Sequence, residues 1–127
     1  MPVLLVAKGR GITTNRLKGL GTEPKFIAWG TDNGAILPLA DSNAALGAAA
    51  PEPRTDGTSS VQTTLTANDT YRVVGTLTAL AARIITEAAL FDALTGGNLY
   101  IRGTFAAINL EASDSIQFTI EGRYNAP

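Results

Sequence analysis

The second half of the chain alternates apolar and polar positions with a period of two, the spacing of a strand that buries one face and wets the other. In 115–123, Ile116, Phe118 and Ile120 fall on one side while Gln117, Thr119 and Glu121 fall on the other, which predicts a strand. The same alternation sets Leu99, Ile101, Gly103 and Phe105 against Tyr100, Arg102 and Thr104, and Tyr71, Val73, Gly75 and Leu77 against Arg72, Val74, Thr76 and Thr78. A weaker version, Val61, Thr63 and Leu65, covers 61–66. Thr95-Gly96-Gly97-Asn98 precedes one of these runs and Ala67-Asn68-Asp69-Thr70 separates two others, so chain reversals, antiparallel neighbours and a hairpin are expected. Segment 83–91 could make a helical stripe as well as a buried strand. Its β-branched pair Ile84-Ile85 favours strand, with a bulge or bend where Thr86-Glu87-Ala88 breaks the alternation.

The first half is less regular. Segment 1–7 is apolar and reads as a strand or an arm; it is too short to span a bilayer and lacks the positively charged start of a signal peptide, so secretion by that route is not expected. Segment 25–30 predicts a short strand with Trp29 in the core, opened by Thr22-Glu23-Pro24 and closed by Asp32-Asn33-Gly34. Within 41–50 one helical turn capped by Asp41 or Ser42 is expected, ended by Pro51, and 51–60 predicts a loop. There is no fixed-period repeat, no heptad pattern and no linker of domain scale. The expected architecture is an all-β antiparallel sandwich over 23–127, preceded by an extended N-terminal arm over 1–22.

Composition narrows the chemistry. A chain of 127 residues can bury one core without staples, and sixteen threonines with few strong helix formers agree with a β fold. Cysteine and histidine are both absent, which removes disulfides, thiolate and imidazole metal sites, and every serine–histidine or cysteine–histidine nucleophile. Carboxylate, lysine and tyrosine chemistry remain, but no carboxylate pair is held at general acid/base separation. Neither Asp92-Ala93-Leu94-Thr95 nor Glu111-Ala112-Ser113-Asp114 has the oxygen density of a calcium loop. No enzyme activity, cofactor or metal is therefore expected. Asp56, Asp69, Asp92 and Asp114 fall in or beside expected turns, where aspartate bonds nearby backbone, and Asn68-Asp69-Thr70, although a glycosylation sequon, reads as a turn.

Ten basic against eleven acidic residues leave a net charge of −1, with no overall field to draw nucleic acid or an anionic membrane. The charge is uneven, however: Lys8, Arg10, Arg16 and Lys18 all precede the first acid, Glu23. Interspersed with Gly9, Gly11, Gly19 and Gly21, they suggest an arm lying across an acidic surface of a partner. Solvated surface cations are the plain alternative. The glycines do not form a phosphate loop, since no Gly-Lys-Ser/Thr follows, and no aromatics interleave with the basic residues before Phe26 as a nucleic-acid platform would require.

Three phrases carry a resemblance: Gly21-Thr22-Glu23-Pro24-Lys25-Phe26-Ile27-Ala28-Trp29-Gly30, Ile85-Thr86-Glu87-Ala88-Ala89-Leu90-Phe91-Asp92, and Asp114-Ser115-Ile116-Gln117-Phe118-Thr119. Together they resemble small virion proteins of tailed bacteriophages, with Thr22, Pro24, Trp29, Glu87, Phe91, Asp92 and Asp114 at the motif positions. The resemblance implies a jelly-roll-like sandwich and, most of all, a capsid cement or decoration protein. Such a protein would be made in the host cytoplasm and sit on the capsid surface as a dimer or trimer at symmetry axes, bridging major capsid subunits. A tail- or fibre-associated subunit is the runner-up. A carbohydrate-binding sandwich, with Trp29, Tyr71, Tyr100 and Tyr124 as stacking faces, is the alternative of a different class.

Overall fold

A computed structural model of the chain describes residues 3–31 and 38–124. Two antiparallel sheets pack face to face. The larger takes β1 (Val3–Leu5), β2 (Phe26–Gly30), β3 (Thr55–Asp56), β6 (Arg83–Phe91) and β7 (Leu99–Leu110) in the order β1-β7-β6-β2-β3. The smaller takes β4 (Thr58–Gln62), β5 (Thr70–Thr78) and β8 (Ser115–Arg123) in the order β4-β5-β8. The expected all-β antiparallel sandwich is the fold observed.

Between the sheets, Ile27, Trp29, Val73, Leu77, Ile85, Leu90, Ile101 and Phe118 form the main core, with the Trp29 and Phe118 rings edge-on at 6.3 Å. The larger sheet is also covered on its other face, where Val6, Ala28, Ala89, Phe91 and Leu99 pack with Leu46 from the connection after β2. Burial on both faces explains why β6 ends in a near-continuous apolar run and not in clean alternation. The expected irregularity is present: the β6–β7 register shifts between Ile85 and Glu87.

The turns follow side-chain chemistry. Asp69 accepts the N–H groups of Thr64, Leu65 and Thr66 at 2.9, 3.0 and 2.8 Å and so folds the β4–β5 connection. Gly96 and Gly97 both adopt positive φ, 63° and 70°, and the Asp92 carboxylate receives the Asn98 N–H at 2.6 Å to close the β6–β7 hairpin. Asp114 bonds the Glu111 N–H before β8.

Several expectations are corrected. The N-terminal arm is not extended: Val3–Leu5 is an edge strand pairing β7, and Ala7–Lys18 is a helix, α1. Segment 41–50 contains turns and bends but no helical turn, and β3 and most of β4 lie where a loop was expected. Asp56 sits in β3 opposite Phe26, 3.3 Å from Lys25, and not in a turn. The weak alternation over 61–66 is strand only as far as Gln62, because Asp69 gathers the next amides into its turn. The turn expected at Asp32-Asn33-Gly34 lies outside the described residues.

Helix α1 was hidden because it has almost no apolar stripe; only Gly9 and Ile12 are buried. Gly9 is the reason it can dock. A Cβ there would lie 2.1 Å from the Tyr100 carbonyl oxygen, so only glycine lets the helix backbone approach β7 this closely. Helix propensity would favour Gly9→Ala by about 1 kcal/mol, but forcing the helix off β7 costs about 1–3 kcal/mol, so net destabilisation is expected in chemical denaturation. Gly11→Ala, with nothing within 4 Å of the added carbon, is expected to stabilise instead. Equal effects of the two substitutions would contradict the docking argument.

Candidate interaction face around Tyr124

Helix α1, the starts of β5 and β7 and the residue after β8 bring three tyrosines together. Tyr71 and Tyr100 stand edge-on with ring centres 6.1 Å apart, and the Tyr100 and Tyr124 hydroxyls are hydrogen-bonded to each other. Thr13 from α1 lies 3.3 Å from the Tyr124 hydroxyl, while the Tyr71 hydroxyl donates to Glu23 at 2.9 Å. Burial, followed by the hydrogen bond to the Glu23 carboxylate, raises the Tyr71 phenol above its ordinary range; burial and Tyr124 do the same for Tyr100. These hydroxyls therefore stay protonated at neutral pH. They can donate hydrogen bonds and present ring faces.

Tyr124 itself is half-exposed and is shared by three open grooves. The first, about 470 Å³, runs between α1 and the tyrosines and is walled by Ile12, Leu17 and Pro24, with Arg16 and Glu23 at its rim. The second, about 530 Å³, lies between the edges of the two sheets, beside Val3, Leu5, Ile101 and Gly122. The third, about 380 Å³, follows the β4–β5 turn past Val61. Leu17 is 84% exposed and Val61 63%, so apolar side chains stand free beside a largely apolar first groove and two grooves of mixed polar and apolar lining.

The four basic residues are not gathered into one face. At 3.6 residues per turn, positions 8, 10, 16 and 18 point to different sides of α1. Arg10 is held within the molecule by both oxygens of Asp41, at 2.6 and 2.9 Å, and this pairing lowers the Asp41 carboxyl below its ordinary range. Arg16 donates to the Gly21 carbonyl at 3.0 Å beside the first groove. Lys8 borders a separate hollow with Asp92 and Asn98, and Lys18 is exposed in the last turn, where a cation favours the helix dipole. Of the four aromatics considered for sugar stacking, Trp29 is 1% exposed and donates to Glu52, so it is core and offers no stacking face; the three tyrosines do converge.

Sequence reasoning missed Glu52, Arg54 and Arg102, and marked Glu87 as a motif position without its buried pairing to Arg102. Arg54 caps the β6–β7 turn through the Ala93 and Gly96 carbonyls at 2.7 and 2.6 Å and lies 3.6 Å from the centre of the Phe91 ring. No local pattern marks such a residue, because its partners are about forty positions away. Among the described residues no three His, Cys, Asp or Glu side chains come together as a metal would need, and no helix is long and apolar enough to cross a membrane.

No protein-family model, curated protein or solved structure matches this chain.

Proposed function

We propose that the chain is a structural subunit without enzymatic activity that binds other protein surfaces in an assembly, most specifically a cement protein on a tailed-phage head that bridges neighbouring major capsid subunits. The observation that carries the reading is the face around Tyr124, where three grooves meet among exposed apolar side chains and neutral, hydrogen-bonding phenols. Tyrosine is a favoured anchor of protein interfaces, since it buries a large ring at little entropic cost and keeps a polar tip. The specific form rests on the resemblance of the phrases around Trp29, Phe91 and Phe118 to small virion proteins. Many copies, each weakly bound, would reinforce a shell through multivalency.

The test is to mix purified protein with empty expanded shells that lack it. Stoichiometric binding with a raised disruption temperature is expected, and Tyr124→Ala should weaken it by about tenfold or more. Circular-dichroism melting checks that the variant is folded. Absence of binding to shells, together with binding to tails, would transfer the protein to a tail- or fibre-associated role. Saturable glycan binding lost in Tyr124→Ala would favour a carbohydrate-binding module, the reading that the tyrosine cluster also suits.

A further inference from the structure

The four outermost strands differ in how much unpaired backbone they offer. On the larger sheet β1 has three residues and β3 two, while β4 on the smaller sheet has five. Short edges of this kind are a common way of avoiding unwanted pairing. β7 runs past β1, which pairs only residues 101–103, but its register is broken just there by the shift against β6. The remaining edge is β8: nine residues, paired to β5 in unbroken register from Ser115 to Arg123, with no described strand on its other side. It contains no lysine, proline or bulge. Its two charges are engaged on the smaller sheet's outer face, where Glu121 receives Arg72 at 2.7 Å and Arg123 at 3.1 Å.

We infer that β8 is a self-association edge, where a second copy of this chain adds its own β8 antiparallel about a twofold axis at Thr119. The inference rests on reading the chain as an assembly subunit, though not on which assembly that is. The sequence of β8 is complementary to itself in this register. Facing residues on antiparallel strands share a side of the sheet, and an axis at Thr119 is the one that pairs all nine positions. On the core side Phe118 meets the second copy's Ile120, an aromatic with a β-branched residue, and Ile116 meets its Gly122. On the outer side Glu121 meets the second copy's Gln117, Arg123 meets its Ser115, and the two Thr119 side chains face each other. No like charges oppose. The groove of about 530 Å³ is lined by Thr119, Glu121, Gly122 and Arg123 of β8 together with Val3, Leu5 and Ile101 of the larger sheet, so open space borders this strand. Pairing would join two three-stranded sheets into one continuous sheet across an isologous interface.

Thr119 is exposed, so its outward side chain can be changed without disturbing the core. Sedimentation equilibrium of the wild-type chain is expected to show a monomer–dimer equilibrium. Thr119→Lys and Thr119→Glu each set like charges face to face on the axis and should weaken the dimer by about fivefold, whereas an equimolar mixture of the two should recover it as a heterodimer. Because the chain has no cysteine, Thr119→Cys should give a single intermolecular disulfide under mild oxidation. A wild-type chain that stays monomeric at several hundred micromolar would overturn the inference, as would dimers in which both charge variants associate like wild type and the mixture shows no recovery. Either result can coexist with shell binding at the Tyr124 face, so failure here is distinct from failure of the cement reading.

Discussion

Arg102→Met is expected to lower the unfolding free energy by about 3–5 kcal/mol. Arg102 on β7 is 1% exposed, and its guanidinium lies 3.3 Å from the equally buried Glu87 on β6. A second nitrogen donates at 3.2 Å to the Pro38 carbonyl and to the Asn43 side chain. Glu87 in turn accepts the Gly47 N–H at 2.8 Å. The pair therefore ties the connection after β2 onto the outer face of the larger sheet, over the second apolar cluster of Ala28, Ala89 and Phe91. Methionine can fill part of the volume, but it leaves a carboxylate in a site from which water is excluded, and desolvation of that charge dominates the cost. Urea denaturation measures the loss, and hydrogen exchange should show 38–50 losing protection first. The double variant Glu87→Gln/Arg102→Met removes both charges and should recover part of the stability. A loss below about 1 kcal/mol in the single variant would show that the pair is not what holds this connection.

Glu52→Ala is expected to cost about 3 kcal/mol at neutral pH, because one buried carboxylate serves three donors from three parts of the chain. It receives Trp29 Nε1 at 3.1 Å, the Leu80 N–H at 3.0 Å and Arg83 Nε at 3.0 Å. Burial on its own pushes this carboxyl up. The Leu80 amide, the Trp29 indole and the Arg83 charge together pull harder, so it lies below its ordinary value of 4.5. The sign for stability follows. Since the folded state holds the proton less tightly than the unfolded chain, the contribution is complete above pH 4.5 and is lost as the pH falls from there through the folded value. Glu121, lowered mainly by its hydrogen bond from Arg72, acts in the same direction. Thermal melts followed by Trp29 fluorescence, the one indole in the chain, should thus decline below pH 4.5 more steeply in the wild type than in Glu52→Gln. Parallel pH profiles would remove Glu52 as a source of acid sensitivity.

Much of the β architecture was legible because its signals are local. The alternation of Ile116, Phe118 and Ile120 with Gln117, Thr119 and Glu121 marks β8, and the broken alternation at Thr86 marks the place where the β6–β7 register slips. Asp69 and Gly96-Gly97 write their turns within a few residues of themselves. The candidate site was legible only in part. The tyrosines were visible as aromatics, but Tyr71, Tyr100 and Tyr124 lie on different strands or strand ends, and only packing of the two sheets brings the Tyr71 and Tyr100 rings and the Tyr100 and Tyr124 hydroxyls together. The basic run was visible too, but its extended form was not what folded. A segment with two glycines, two threonines and one buried isoleucine has no amphipathic period to read.

The sequence by itself determined which segments can be strands, where the chain can turn, and that cysteine and histidine chemistry is excluded, because each of these depends on residue type and on neighbours within a few positions. Tertiary structure decided the rest. Gly9 is required only because α1 packs against the Tyr100 carbonyl, Glu52 and Glu87 can be buried only where remote donors meet them, and β8 is left with a neighbour on one side only by where the other described strands pair. Contacts between residues far apart in the chain carry no local signature. The energy of a buried charge or of an unpaired backbone edge is set by what surrounds it after folding.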